Sequence, residues 1–137
     1  MNDETRQRLT DIGLLWMRVS LGGLMLVNHG WGKMLKLFGE GPIKFADPLG
    51  LGAAPSLVLA VGAEVVCAAL LIAGLATRAA AAPLVVTMLV AAFIVHGDDP
   101  FQKKEFALVY AIPFLALAFT GAGRYSLDAL IAKRRAG

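Results

Sequence analysis

Apolar residues gather into four long runs, at approximately 12–37 (fading after Val27), 56–76, 79–96 and 103–121, separated by short polar or Gly/Pro-rich breaks. Each run approaches the ~20 residues an α-helix needs to cross a ~30 Å hydrocarbon core. A backbone in lipid must satisfy its own hydrogen bonds, so the many Val, Ile and Gly do not argue for strands. The pattern predicts an all-α protein: an integral-membrane, up-down, four-helix transmembrane bundle that occupies residues 1–137 as a single domain.

The breaks carry their own instructions. Gly39 to Pro55 contains Pro42, Pro48, Pro55, Gly41, Gly50 and Gly52, which predicts a long loop with room for a short interfacial helix. Thr77 and Arg78 leave chain only for a tight antiparallel hairpin, with Pro83 expected near a helix start, where its missing N–H is harmless. His96-Gly97-Asp98-Asp99-Pro100-Phe101 has strong turn chemistry, and Gly121 and Gly123 should end the fourth helix. Pro113 falls inside that helix and predicts a kink, while the tail from Leu127 is short, amphipathic and basic.

Composition agrees with the pattern. Hydrophobic residues make up 58% of the chain, against roughly 45–50% in soluble domains. The net charge is +3, but the 13 Lys and Arg stand singly between apolar runs, so they read as topology signals rather than as a nucleic-acid surface. Arg6, Arg8, Arg78, Arg124, Lys133, Arg134 and Arg135 fall on one side, Lys33, Lys36, Lys44, Lys103 and Lys104 on the other, which favours both termini in the cytoplasm. Trp16 and Trp31 stand near opposite ends of the first span, as interfacial aromatics do. That span is expected to be retained and not cleaved as a signal peptide, because Trp16 and Arg18 interrupt it and no A-x-A-like site follows. The one cysteine, Cys67, excludes an intramolecular disulfide, a CxxC pair and a cysteine-held iron–sulfur centre, and is expected to be an inert buried thiol.

The polar residues inside the apolar runs are the candidates for function. Arg18 needs a partner within the bundle, and Glu64 in the second span is the obvious choice, although the two differ in depth by about 9 Å. A direct pair would lock two helices; an unpaired Glu64 would have a raised pKa and handle protons. At 3.6-residue periodicity Arg18, Gly22, Met25, His29, Lys33 and Lys36 share one face of the first helix, and Gly22 admits close approach of a helix or a flat ligand. His29 ends the first span, His96 the third, and Glu105 opens the fourth, so all three meet on the outer side with Lys33, above a deeper Glu64. This predicts a polar pocket in which His29, His96 and Glu105 transfer protons and Lys33, Glu64 and Arg18 bind a ligand. No H-x-x-E-H or E-x-x-H spacing supports a metal. No nucleotide motif or serine elbow is present, so any chemistry depends on a partner or a bound molecule.

Arg18, His29-Gly30-Trp31-Gly32-Lys33, Glu64, the hairpin Leu70-Leu71-Ile72-Ala73-Gly74-Leu75-Ala76-Thr77-Arg78, Glu105, and Gly121-Ala122-Gly123-Arg124-Tyr125-Ser126-Leu127-Asp128 together resemble the DoxX family over nearly the whole chain. Cys67-Ala68 departs from the two glycines that many relatives carry. The resemblance implies a multi-pass protein of the bacterial cytoplasmic membrane associated with redox systems, since the family name comes from a subunit linked to thiosulfate:quinone oxidoreduction. A lipid-soluble quinone would suit an apolar slot with His29, His96 and Glu105 at its polar end. No covalent cofactor is expected, and the electron carrier must sit on a redox partner protein. A competing reading is a non-enzymatic scaffold or small-solute permease, with Gly22, Ala60 and Ala69 permitting a homo-oligomer.

Overall fold

The side chain of Asn2 accepts the Thr5 N–H at 2.9 Å and, with Asp3 and Glu4 in the first turn, starts a helix that runs from Asp3 to Phe38 (α1). The computed structural model describes residues 1–137. At ~1.5 Å per residue α1 is roughly 54 Å long, so it outruns a ~30 Å hydrocarbon core. The helix begins well before the apolar run because a polar first turn with a good cap is helical without lipid.

Gly39 to Gly52 forms a loop without a helix of its own, contrary to the room left for one. Asp47 organises its end: the carboxylate accepts the Leu51 and Gly52 N–H groups, each at 2.8 Å, and the Ser56 hydroxyl at 2.9 Å. With those donors occupied, the chain enters α2, Ala53–Ala73. Gly74 ends α2 in the left-handed region (φ 68°), and Leu75 N–H returns to the Leu70 carbonyl at 2.9 Å.

Helix α3, Thr77–Val95, follows at once; the hairpin is tight as expected, but its joint is Gly74–Ala76, and Thr77 and Arg78, expected to form it, open α3. Pro83 lies deeper than expected, in the second turn, where it removes an intrahelical donor. The His96–Pro100 turn leads into α4, Phe101–Thr120, which contains Pro113 and stops at Gly121 (φ 78°). Ser126 then caps α5, Leu127–Ala136, by accepting the Ala129 N–H at 3.2 Å.

The four long helices run up, down, up and down. α1 lies along α2, α2 against α3, and α3 along α4, while α4 touches α1 to close the bundle. Met25, Leu71, Leu84, Phe114 and Leu117 fill the centre with no exposed surface, and Ala63, Ala68, Ala81, Ala92 and Ala111 let the backbones approach. Polarity is inverted relative to a water-soluble protein. Arg18, Glu64 and Thr77 are buried, whereas Trp16, Val27, Val66, Phe93, Ile112 and Phe119 face outward, as expected where the surrounding solvent is hydrocarbon. α1, α2 and α3 are long and apolar enough to cross a membrane; α4 opens with Lys103, Lys104 and Glu105, which shortens its apolar part.

Three of the helices widen into a π turn: Leu26–Gly30 in α1, Gly62–Cys67 in α2 and Ala91–Val95 in α3. Such bulges reset the side-chain phase and concentrate at functional sites. Here they hold or adjoin His29, Glu64 and His96.

Candidate functional site

The inward stripe of α1 is as its periodicity indicates. Arg18, Gly22 and Met25 are buried, His29 and Lys33 half-buried, and only Lys36 is exposed. Gly22 meets α2: an added Cβ would lie 2.8 Å from the Ile72 side chain and 3.1 Å from the Ala68 carbonyl oxygen. Close helix packing, and not a flat ligand, occupies this glycine, which is therefore not free to serve a second copy of the chain.

Gly30 makes a tighter contact. A Cβ there would fall 2.5 Å from the Glu64 backbone oxygen and 2.8 Å from its carbonyl carbon. The crossing of α1 and α2 is thus set where the π turns of Gly30 and Glu64 meet. That proximity lets Lys33 reach Glu64, nitrogen to carboxylate oxygen at 2.5 Å, with the Glu64 side chain 3% and the Lys33 side chain 26% exposed.

Arg18 and Glu64 do not pair, and helix geometry says why. Side chains lean toward the N-terminus of their own helix. Along α1, Arg18 leans toward the N-terminal end of the helix and Lys33 leans back toward the middle; on antiparallel α2, Glu64 leans the opposite way, toward Lys33. Lys33 and Glu64 converge, while Arg18 and Glu64 diverge.

Arg18 instead gathers backbone oxygens at the end of the bundle where α2 meets α3. Its guanidinium donates to Leu71 at 3.3 Å, Ile72 at 2.5 Å, Ala122 at 3.3 Å and Tyr125. It thereby ties the free carbonyls that end α2 to the segment joining α4 and α5. Asp128 completes this knot by accepting Ala76 N–H at 2.7 Å and Thr77 N–H at 3.0 Å, which caps α3. Burial works to raise the Asp128 carboxyl, but these two N–H donors and the nearby Arg18 charge hold it below the ordinary aspartate range. Asp11, which the sequence reading did not single out, is buried beside the same segment and accepts Arg124 N–H at 3.0 Å. The group is structural.

The opposite half of the bundle holds a cavity of about 430 Å³, within the range of small-molecule sites. His29, Lys33, Glu64, His96, Lys103 and Tyr110 supply its polar groups, and Leu59, Ala63, Val86, Ala91 and Phe106 much of its apolar wall. His29 packs edge-on to Tyr110, centroids 5.4 Å apart, and 5.6 Å from Phe106. His96 Nδ1 lies 2.6 Å from Asp99 Oδ2, which leaves Nε2 as the ring nitrogen available to a ligand. That bond, followed by Lys103 nearby and against some burial, holds the Asp99 carboxyl below its usual range.

His29 and His96 therefore share one cavity, as the up-down topology suggested, but Glu105 does not join them. It is exposed and off the lining. The inward face of α4 is Lys103, Phe106, Ala107 and Tyr110, spaced by three, one and three, and Glu105 stands about 200° around the helix from Lys103. The sequence reading missed Lys103 and Tyr110; the four-residue spacing of Phe106, Tyr110 and Phe114 was the available signal. Cys67 is half-buried against the core and outside the cavity lining. No three His, Cys, Asp or Glu side chains converge as a metal-binding group.

The geometry can be set beside known proteins. The DoxX family profile matches residues 13–97, most of the chain from α1 to the end of α3. This chain belongs to the DoxX family. The match covers Arg18, His29, Lys33, Glu64 and His96, whereas Asp11, Lys103, Tyr110 and Asp128, which complete the two polar centres, lie outside it. Over 111 residues, 76% of this chain and 80% of the relative, it is 39% identical to an uncharacterized protein of Haemophilus influenzae. Over 124 residues, 90% of each chain, it is 32% identical to a Bacillus subtilis protein named "Putative oxidoreductase CatD". No solved structure matches.

Proposed function

We propose that this DoxX protein is a quinone-linked subunit of a redox system in the bacterial cytoplasmic membrane, with both termini in the cytoplasm. The observation that carries this reading is the cavity in which His29, His96, Tyr110 and the Lys33–Glu64 pair share the lining with a largely aliphatic wall. The name of the Bacillus relative points in the same direction.

In this reading the quinone ring rests beside Tyr110 and His29, with a ring oxygen facing donors from Lys33 or His96. Reduction to the quinol takes two electrons from a partner oxidoreductase and two protons. His29, His96 and Glu64 are the groups able to pass those protons. Arg18 acts as a positioning residue, through its hold on the inner end of the bundle. A scaffold or permease is the alternative, and the inner-end knot is the part of the protein that suits it.

The test is mass analysis of lipid extracted from detergent-purified protein, comparing wild type with His29→Ala/His96→Ala. Quinone retained by wild type and lost from the variant is the expected result. No quinone in either, or equal amounts in both, sinks the proposal and leaves the scaffold or permease reading.

A further inference from the structure

The cavity wall between α2 and α3 is incomplete. Leu59 on α2 and Val86 on α3 both line the cavity and are 57% and 58% exposed. Lining residues exposed to this degree mark the side on which the cavity is open. Ala60 and Pro83 also line the cavity here and are too compact to fill the gap.

The opening is suited to hydrocarbon. Thr87 turns its hydroxyl back onto the Pro83 carbonyl at 2.8 Å, so it presents no unpaired polar group to a passing chain. Val86 stands midway between Thr77 and Val95, about 14 Å along α3 from either end, so the opening lies at acyl-chain depth and not at the headgroups.

We infer that this gap is a lateral portal through which a quinone with a long alkyl or isoprenoid tail enters from the bilayer. Its ring lies against His29 and Tyr110 and its tail leaves between Leu59 and Val86. The inference rests on the quinone reading above and adds the route and the requirement for a tail. A tailed molecule must thread this gap, because its chain cannot lie in the polar end. A tailless ring has a second way in, from the outer rim beside Pro48 and Lys103, which also line the cavity.

The experiment measures binding of a decyl-tailed benzoquinone and of the same ring without a tail to the full chain in lipid nanodiscs. Wild type is compared with Leu59→Trp/Val86→Trp, which closes the gap, and Leu59→Ala/Val86→Ala, which widens it. Both positions face lipid, and thermal unfolding checks that each variant is folded; if the tryptophan variant is not, the alanine variant decides. The expected result is that the tryptophan variant's loss of affinity is at least about tenfold larger for the tailed quinone than for the tailless ring, while the alanine variant binds the tailed quinone at least as fast as wild type. Equal losses for both ligands, no loss for either, or slower association in the alanine variant overturns the portal and leaves the quinone site standing. Should wild type bind neither quinone, the quinone reading fails, and a long-chain alkyl diazirine probe tests the gap alone. Cross-links reaching Thr87 and Tyr110 then support a lipid portal, and cross-links confined to the outer surface overturn it.

Discussion

Lys33 on α1 and Glu64 on α2 meet at 2.5 Å, and no other charged side chain lies within ion-pair distance of either. Removing one partner strands the other in the bundle. A fully buried pair broken in this way costs about 3–5 kcal/mol, and the partial exposure of Lys33 reduces that to about 2 kcal/mol. Glu64→Gln should therefore lower stability in detergent micelles, and Lys33→Met/Glu64→Gln should recover most of the loss because no unpaired charge remains. A double variant as unstable as the sum of the singles would mean the pair is not coupled.

Gly30 is expected to be the least replaceable glycine of α1. A methyl group at Gly30 collides with the Glu64 backbone, which cannot rotate away, whereas Gly32 has nothing within 4 Å of the same position. Gly30→Ala should cost about 1–3 kcal/mol through forced separation of α1 and α2, and Gly32→Ala should be neutral or slightly stabilising. Thermal unfolding of the two variants side by side checks this, and equal midpoints would refute it.

Arg18 is expected to resist conservative exchange. Its planar fork bonds four carbonyl groups from two parts of the chain, a set that the single ammonium of a lysine cannot reproduce. Arg18→Lys should destabilise nearly as much as Arg18→Met, with both releasing α5 from the end of α2. Proteolysis in the Gly121–Ser126 segment is the readout, and protection in the lysine variant equal to wild type would show that charge alone suffices.

The fold was legible in the sequence because lipid reduces the choices: long apolar runs must become helices, and Gly121 ends the fourth where expected. The inward stripe from Arg18 to Lys33 and the shared cavity of His29 and His96 followed from periodicity and up-down topology. The partner of Glu64 did not follow, because choosing between Arg18 and Lys33 depends on the direction in which side chains lean on antiparallel helices. Glu105 was misplaced because being at the correct membrane level says nothing of the side of α4 it occupies. The π turns at Leu26–Gly30, Gly62–Cys67 and Ala91–Val95 leave no mark in a regular 3.6-residue pattern. Asp11 and Asp128 gain their roles only through contacts with residues far away along the chain.

Asp128 gives the Arg18 end of the bundle a defined pH dependence. Its carboxyl titrates below the ordinary aspartate range in the folded protein and returns to about 4 when the chain unfolds. The unfolded state thus binds more protons between those values, so the stabilisation is complete above about pH 4 and is lost as pH falls through the lower folded value. Ala76, held at φ 48° beside this cap, has the least tolerance for losing it. Asp128→Ala should cost about 0.5–2 kcal/mol at neutral pH, the usual worth of a helix N-cap. The gap between wild type and Asp128→Ala should narrow as the solution is acidified below about pH 4, because the protonated side chain no longer presents two full acceptors to Ala76 and Thr77. Unfolding midpoints of both proteins across that range decide the matter, and a gap that stays constant from neutral pH to about pH 3 would show that ionised Asp128 does not hold the start of α3.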